Sequence, residues 1–253
     1  MFSGLLTAQQ DTMYIMKSGN VIYKQSIKAE DVDSIIFYSP TNLTLIDYDG
    51  NVYKTVQIGT QLWMAENLKT THYSDGLPVP AISDSADWDA LTINDKAYTW
   101  YNNDSTTYAE TYGALYTWAA AMRGAPGSST SPSGVKGICP EGWHLPSLAE
   151  WETLIDFLGG ADIAGGPMKE SGTTHWLAPN FGATNESGLT GLPAGYRYFD
   201  GSFTGLYYFT YWWATNGGNG SYAFRASLGY ENAGIRLFER RKDMGYSVRC
   251  LKD

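Results

Sequence analysis

Residues 138–151, Ile-Cys-Pro-Glu-Gly-Trp-His-Leu-Pro-Ser-Leu-Ala-Glu-Trp, constrain the fold more than any other stretch of the chain. Ser147 and Glu150 have the Ser-x-x-Glu spacing of a capping box, in which each side chain accepts a hydrogen bond from the other residue's free backbone N–H. Pro146, just before the cap, blocks extension of a helix backwards. Behind it Leu148, Trp151, Leu154, Ile155 and Leu158 recur at the three- and four-residue spacing of one buried helix face. Gly159-Gly160 then ends the pattern. The expectation is a helix from the Ser147 cap to residue 158, with Trp151, Leu154 and Leu158 buried.

A second helix is expected at 112–124, where Leu115, Trp118, Ala119 and Met122 share a face and Gly124 can terminate it. From 165 onward no helix signal remains. Short β-like runs rich in Gly, Asn and aromatic residues fill the rest, among them "YYFTYWWATN", "SYAFRASLGY" and "AGIRLFER". Asp49-Gly50 marks a hairpin between "LTLIDY" and "NVYKTVQI", and Gly59-Thr60 a second turn before "QLWMAENL". Nearer the start, Tyr14-Ile15 and Val21-Ile22-Tyr23 flank Ser18-Gly19-Asn20 as another hairpin, and "VDSIIFY" reads as a third strand. Residues 74–110, rich in Asp, Ser and Asn, read as a long surface excursion.

The division expected is an appendage at 1–40 and a main domain at 41–253. Residues 1–10 suit the tail of a secretory signal. Charged residues are only 17% of the 253, aromatic residues 15%, and Gly numbers 28, which describes a folded, loop-rich chain with many aromatic anchors. A net charge of −9 argues against nonspecific nucleic-acid binding and anionic membranes. No apolar run reaches the ~18 residues of a membrane-spanning helix.

Several blocks carry a resemblance. "DGNVYKTVQIGTQLWMAENLKTTHYSDG", "YGALYTWAAAM", "GICPEGWHLPSLAEWETL", "SGLTGLPAGYR", "YWWATN" and "GYSVRC" follow one another in the order of the signature blocks of the Fibrobacter succinogenes major paralogous domain, and the chain resembles that family over about residues 43–253. The resemblance implies an α+β, C-type lectin-like fold with two helices, short antiparallel strands and long loops, preceded here by a small N-terminal β segment. It also implies a secreted or cell-surface protein, outer-membrane anchored, of a bacterium of the Bacteroidota or Fibrobacterota. Relatives in fold are the formylglycine-generating enzymes and the variable proteins of diversity-generating retroelements. The first are catalysts and the second binding scaffolds, so the residues have to choose.

The residues favour binding. A nucleophilic Cys139 would need a base within reach, and His144 lies in an apolar run between Trp143 and Leu145, where a half-buried or exposed ring in a strand is the plainer reading. The formylglycine-generating enzymes carry paired cysteines near the C-terminal end of the fold, where this chain has Cys250 alone. The resemblance gives Cys250 the part of a terminal clamp and implies a disulfide with Cys139. Two buried, reduced cysteines are the alternative. The carboxylates Asp84, Asp87, Asp89 and Asp95 read as solvated loop charges. His72, His144 and His175 are scattered, so no zinc site is expected. The Glu-Pro-Asn, Gln-Pro-Asp and Trp-Asn-Asp triplets of sugar-binding C-type lectins are missing, with "WATN" at 213–216 the nearest approach. No cofactor is expected, although acid-rich loops leave room for calcium elsewhere.

The candidate binding face is 216–240. Ala223, Ala226, Leu228, Ile235 and Val248 suit inward positions. Asn216, Asn219, Tyr222, Phe224, Arg225, Ser227, Tyr230, Asn232, Arg236, Phe238 and Arg240 suit outward ones, mixing tyrosine contact area with a cationic cluster that Arg241 extends. In the resembling retroelement-diversified proteins the variable residues occupy this same stretch. The expected function is a non-enzymatic module that binds a glycan or a cell-surface protein. The alternative is a structural adhesin or cell-envelope component without a small ligand.

Overall fold

The computed structural model describes residues 11–17, 20–27 and 45–253. The chain divides into two compact units, Met1–Thr41 and Asn42–Asp253. In the first, β1 (Asp11–Lys17) and β2 (Asn20–Ile27) form the expected antiparallel hairpin, with Lys17 opposite Asn20. The expected third strand and the signal-like residues 1–10 lie outside the described residues.

The second unit is a mixed α/β body of small antiparallel sheets, with no barrel. Asp49-Gly50 joins β3 (Leu45–Ile46) to β4 (Val52–Tyr53), and Gly59-Thr60 joins β5 (Thr55–Ile58) to β6 (Gln61–Met64), as the turn residues require. The 74–110 stretch is not a free excursion. It holds helix α1 (Ser85–Asp89), strand β7 (Tyr98–Thr99), a 3-10 turn at Tyr101–Asn103 and helix α2 (Ser105–Tyr112). Asp84 and Asp104 cap the two helices. Trp88 is fully buried and its indole donates to the Asp243 carbonyl at 3.2 Å. Val79 and Tyr101 are buried as well, so isolated apolar residues scattered through a polar run anchor this segment, and periodicity over a window does not register them.

The helix expected at 112–124 is corrected. Gly113 takes φ +73 at the end of α2, and the chain turns into strand β8 (Leu115–Tyr116), which pairs with β7. Only α3 (Trp118–Ala121) is helical, capped by the Thr117 side chain. Leu115 is buried, but in a different cluster from Trp118 and Met122. The helical spacing was a coincidence of two elements lying end to end.

Strand β9 (Trp143–His144) leads into α4 (Leu148–Phe157), whose Ser147–Glu150 capping box is present in both directions. Trp151 and Leu154 are fully buried; Leu158, the C-cap, is only partly so. A further turn, α5 (Gly165–Met168), carries no capping side chain, and its Gly166 N–H donates to the Ala233 carbonyl. The described residues therefore hold five helices rather than two, three of them five residues or shorter. Strands β10 (Ala194–Arg197) and β11 (Phe203–Leu206) form a ribbon, and β12 (Phe209–Gly217), β13 (Tyr222–Gly229) and β14 (Ile235–Arg241) a three-stranded sheet. Strand β15 (Leu251–Lys252) inserts between β6 and β9.

The Cys139–Cys250 disulfide is formed, with Cα atoms 5.9 Å apart and both residues buried. It ties the segment before β9 to the residue before β15. Two large clusters make the core. One gathers around this disulfide with Trp143, Trp213 and Tyr246. The other gathers around α4, where Trp151 stacks on Trp212 at 5.6 Å and packs against Trp63 at 4.6 Å.

Candidate binding face

The β12–β13–β14 sheet separates the two clusters, and its register decides what each face presents. Trp212 lies opposite Ala226, Ala226 opposite Leu237, and Leu228 opposite Ile235; these point into the α4 cluster. On the other face Tyr211 lies opposite Ser227, Arg225 opposite Phe238, Ser227 opposite Arg236 and Ala223 opposite Arg240. All five residues expected inward, Ala223, Ala226, Leu228, Ile235 and Val248, are buried.

The expected outward set divides. Tyr222 and Phe238 are 44% and 46% exposed, and Asn219, Asn232, Arg236 and Arg240 are exposed too. Ser227 is half-buried and donates to the Arg236 carbonyl. Tyr230 is half-buried, edge-on to Tyr208, with its hydroxyl donating to Glu231. Two residues serve the fold instead. Asn216 accepts from the Leu148 N–H at 2.7 Å, completing the first turn of α4, and Phe224 packs on the α4 cluster from the inner face. Arg225 is buried at 5% exposure, against expectation. The reason is the pleat: Ala223 and Ala226 are both buried but on opposite faces, so Arg225 shares the side of Ala223, not the side away from it. The sheet is covered on both faces there, a condition that simple alternation does not foresee.

Arg225 forms the floor of a cleft of about 390 Å³ with Tyr211. Tyr196, Tyr198, Phe199, Tyr222 and Tyr246 wall it, and Arg240 and Arg241 stand at its edge. A shallower depression of about 230 Å³ adjoins it, sharing Tyr211, Arg225 and Arg240 and adding Arg236 and Phe238. The guanidinium of Arg225 lies 4.1 Å from the Tyr211 ring centroid and 5.5 Å from that of Tyr246. Burial lowers its pKa, while the two tyrosines act in the opposite direction. Burial also pushes the Tyr211 phenol up to about 12 and the Tyr246 phenol further, so both rings are neutral near pH 7. Arg241 is already engaged: it holds Asp243 through both Nε and Nη2 and stacks on Phe199 at 4.3 Å. Arg236 and Arg240 have no carboxylate partner among the described residues. The cleft is therefore aromatic-walled and cationic within an acidic protein.

The candidate face expected from the sequence held Tyr222, Arg225, Arg240 and Arg241 but missed Met244 and Tyr246, which reach the cleft from the segment before β15. A lone Tyr in "GYSVRC" offers no local signal for that.

The other chemical candidates are accounted for by the fold. Cys139 has no thiol. His144 is 3% exposed rather than half-buried or exposed, held between Glu150 at 2.8 Å and Asp253 at 2.7 Å. Asp84 is a helix cap, and Asp95 accepts from the Thr92 backbone and hydroxyl. Among the described residues no three His, Cys, Asp or Glu side chains gather as a metal cluster, so the calcium expectation gains no donor set. None of the described helices is long and apolar enough to cross a membrane.

The model of the Fibrobacter succinogenes major domain matches residues 56–252. The chain belongs to that family. The matched span of the major domain takes in the disulfide, α4, the three-stranded sheet and the whole cleft. No curated protein and no solved structure is detectably similar to the chain.

Proposed function

We propose that this major-domain chain is a non-enzymatic binding module with a C-type lectin-like fold, secreted or held at the bacterial cell surface, that recognises a glycan or protein ligand through the outer face of β12–β14 and the adjoining cleft. The observation that carries this reading is the concave, aromatic-walled cleft in which Arg225 and Arg240 lack carboxylate partners among the described residues, while Arg241 is held by Asp243. Rigid tyrosines supply contact area at low entropic cost, and a cleft of this size falls in the range of small-ligand sites, ~300–1,000 Å³. The buried disulfide suits an oxidising, extracytoplasmic compartment. A retroelement-diversified region would have to confine its variation to the exposed subset, Asn219, Tyr222, Asn232, Arg236, Phe238 and Arg240, because Asn216 and Phe224 serve the fold and Arg225 is buried.

The test is the quadruple variant Tyr222→Ala, Arg236→Ala, Phe238→Ala, Arg240→Ala, screened beside the wild type on glycan and cell-surface-protein arrays. Exposed side chains contribute little to stability, so the melting temperature should stay within a few degrees. The array ligand should be lost. A ligand that the quadruple variant still binds with wild-type affinity would move the site off this face.

A further inference from the structure

Three arginines are almost wholly buried: Arg197, Arg225 and Arg249, none more than 5% exposed. Two of them are fully employed. Arg197 donates to the carbonyls of Gly201, Ile82, Ser83 and Asp84. Arg249 donates to Asn67 Oδ1 and to the carbonyls of Met64, Leu189 and Thr190. Their donors are spent on backbone that would otherwise lack partners, which makes them structural. Arg225 differs. Its Nε and Nη1 are shut off from water and have no hydrogen-bond partner. It is also the one of the three that floors a cleft. A desolvated guanidinium without an anion is costly, and ring stacking offsets only part of that cost. Within the same fold, two buried arginines are satisfied, and the third lines a cavity with two of its donor atoms enclosed and unpartnered.

We infer that Arg225, with Arg240 at the cleft edge, receives the carboxylate of an acidic sugar, the ring of which stacks on the tyrosine walls. This rests on the binding-face reading above and deepens it. A guanidinium offers parallel N–H donors that match a carboxylate in plane, and such charge-assisted pairs are the strong ones. Arg241 is less suited to this part, because its Nε and Nη2 are already paired with Asp243. The sugar follows from the walls. Tyr196, Tyr198 and Tyr222 present ring faces and edges around a concavity sized for a small ring system, whereas a protein partner needs a broad, flatter contact of roughly 800 Å² on each side. Tyr222 and Arg240 share the cleft with Arg225 and are exposed, so they can turn aside as the ligand enters.

The experiment uses the full chain and a hexuronic acid trisaccharide as the free acid and as its methyl ester. Titration calorimetry gives affinity, and backbone chemical shifts give location. The free acid should bind at least about tenfold more tightly than the ester, the gain expected when charged hydrogen bonds replace neutral ones. The largest shifts should fall on Arg225, Tyr211 and Tyr222. Arg225→Met should cut free-acid affinity by about tenfold or more while the melting temperature stays the same or rises, because an unpaired buried cation is replaced by an apolar side chain of similar length. A merely structural Arg225 would give the opposite pattern, a lower melting temperature and unchanged binding. Should that variant not fold, the acid-to-ester ratio on the wild type decides alone. Equal affinity for acid and ester overturns the carboxylate assignment and leaves the face intact. Shifts centred away from β12–β14 overturn the face itself. Failure of the free acid to bind at millimolar concentration, with an acidic peptide binding at Arg225 instead, overturns the sugar in favour of a protein partner.

Discussion

Replacing both Cys139 and Cys250 by alanine opens a covalent loop between positions 111 residues apart. In the chain-entropy description a bridge closing ~100 residues restricts the unfolded chain by about 4.7 kcal/mol, and slightly more for this one. Both sulfurs sit in the larger cluster, so truncation also leaves a small void, on the order of 1 kcal/mol. The native contacts around the bond survive without it. Strand β15 still pairs with β6 and β9, and Met64 N–H still donates to the Cys250 carbonyl position at 3.0 Å. The expected loss is therefore about 5–6 kcal/mol, acting chiefly through the unfolded state. Domains are typically stable by ~5–15 kcal/mol, so the double variant should stand near the limit of folding at 25 °C. Equilibrium urea unfolding followed by tryptophan fluorescence measures it, with the oxidised wild type as reference. Wild type unfolded and refolded in reductant should lose nearly as much as the double variant, since it lacks the bond but keeps the side-chain volume. A loss below about 1 kcal/mol in both would refute the loop-closure argument. A large loss in the double variant with none on reduction would place the effect in packing instead.

Leu154→Ala should cost about 2–5 kcal/mol in the same assay, because Leu154 is fully enclosed in the cluster around α4. Ser147→Ala should cost about 1 kcal/mol for the lost cap. His144 supplies a pH test. Burial lowers its pKa, but the hydrogen bonds and charges of Glu150 and Asp253 outweigh burial and raise it overall. Its contribution is then fully present below the unfolded value of ~6.5 and lost as pH rises through the higher folded value. Stability measured across neutral and mildly alkaline pH should fall for the wild type and fall less for His144→Gln; parallel slopes would show that the imidazole pairing contributes nothing.

How much was legible in advance depended on whether a signal was local. The capping box, the Asp49-Gly50 and Gly59-Thr60 turns and the buried Trp151 and Leu154 all follow from a few neighbouring residues, because caps, turns and one helix face are made by neighbours. The family, too, was carried by contiguous blocks. Three things depended on distant partners. Whether 112–124 is one helix turned on β8 finding β7 across the chain. The place of Trp88 turned on Asp243, 155 positions away. The orientation of Arg225 turned on which of two clusters covers each face of its sheet. A period of two tells which residues share a face, but not whether that face meets water, the core or a cleft. That choice is made by Tyr211 of the neighbouring strand and the distant Tyr246 packing on the guanidinium, and it turned an expected surface arginine into a buried cation with unpartnered donors.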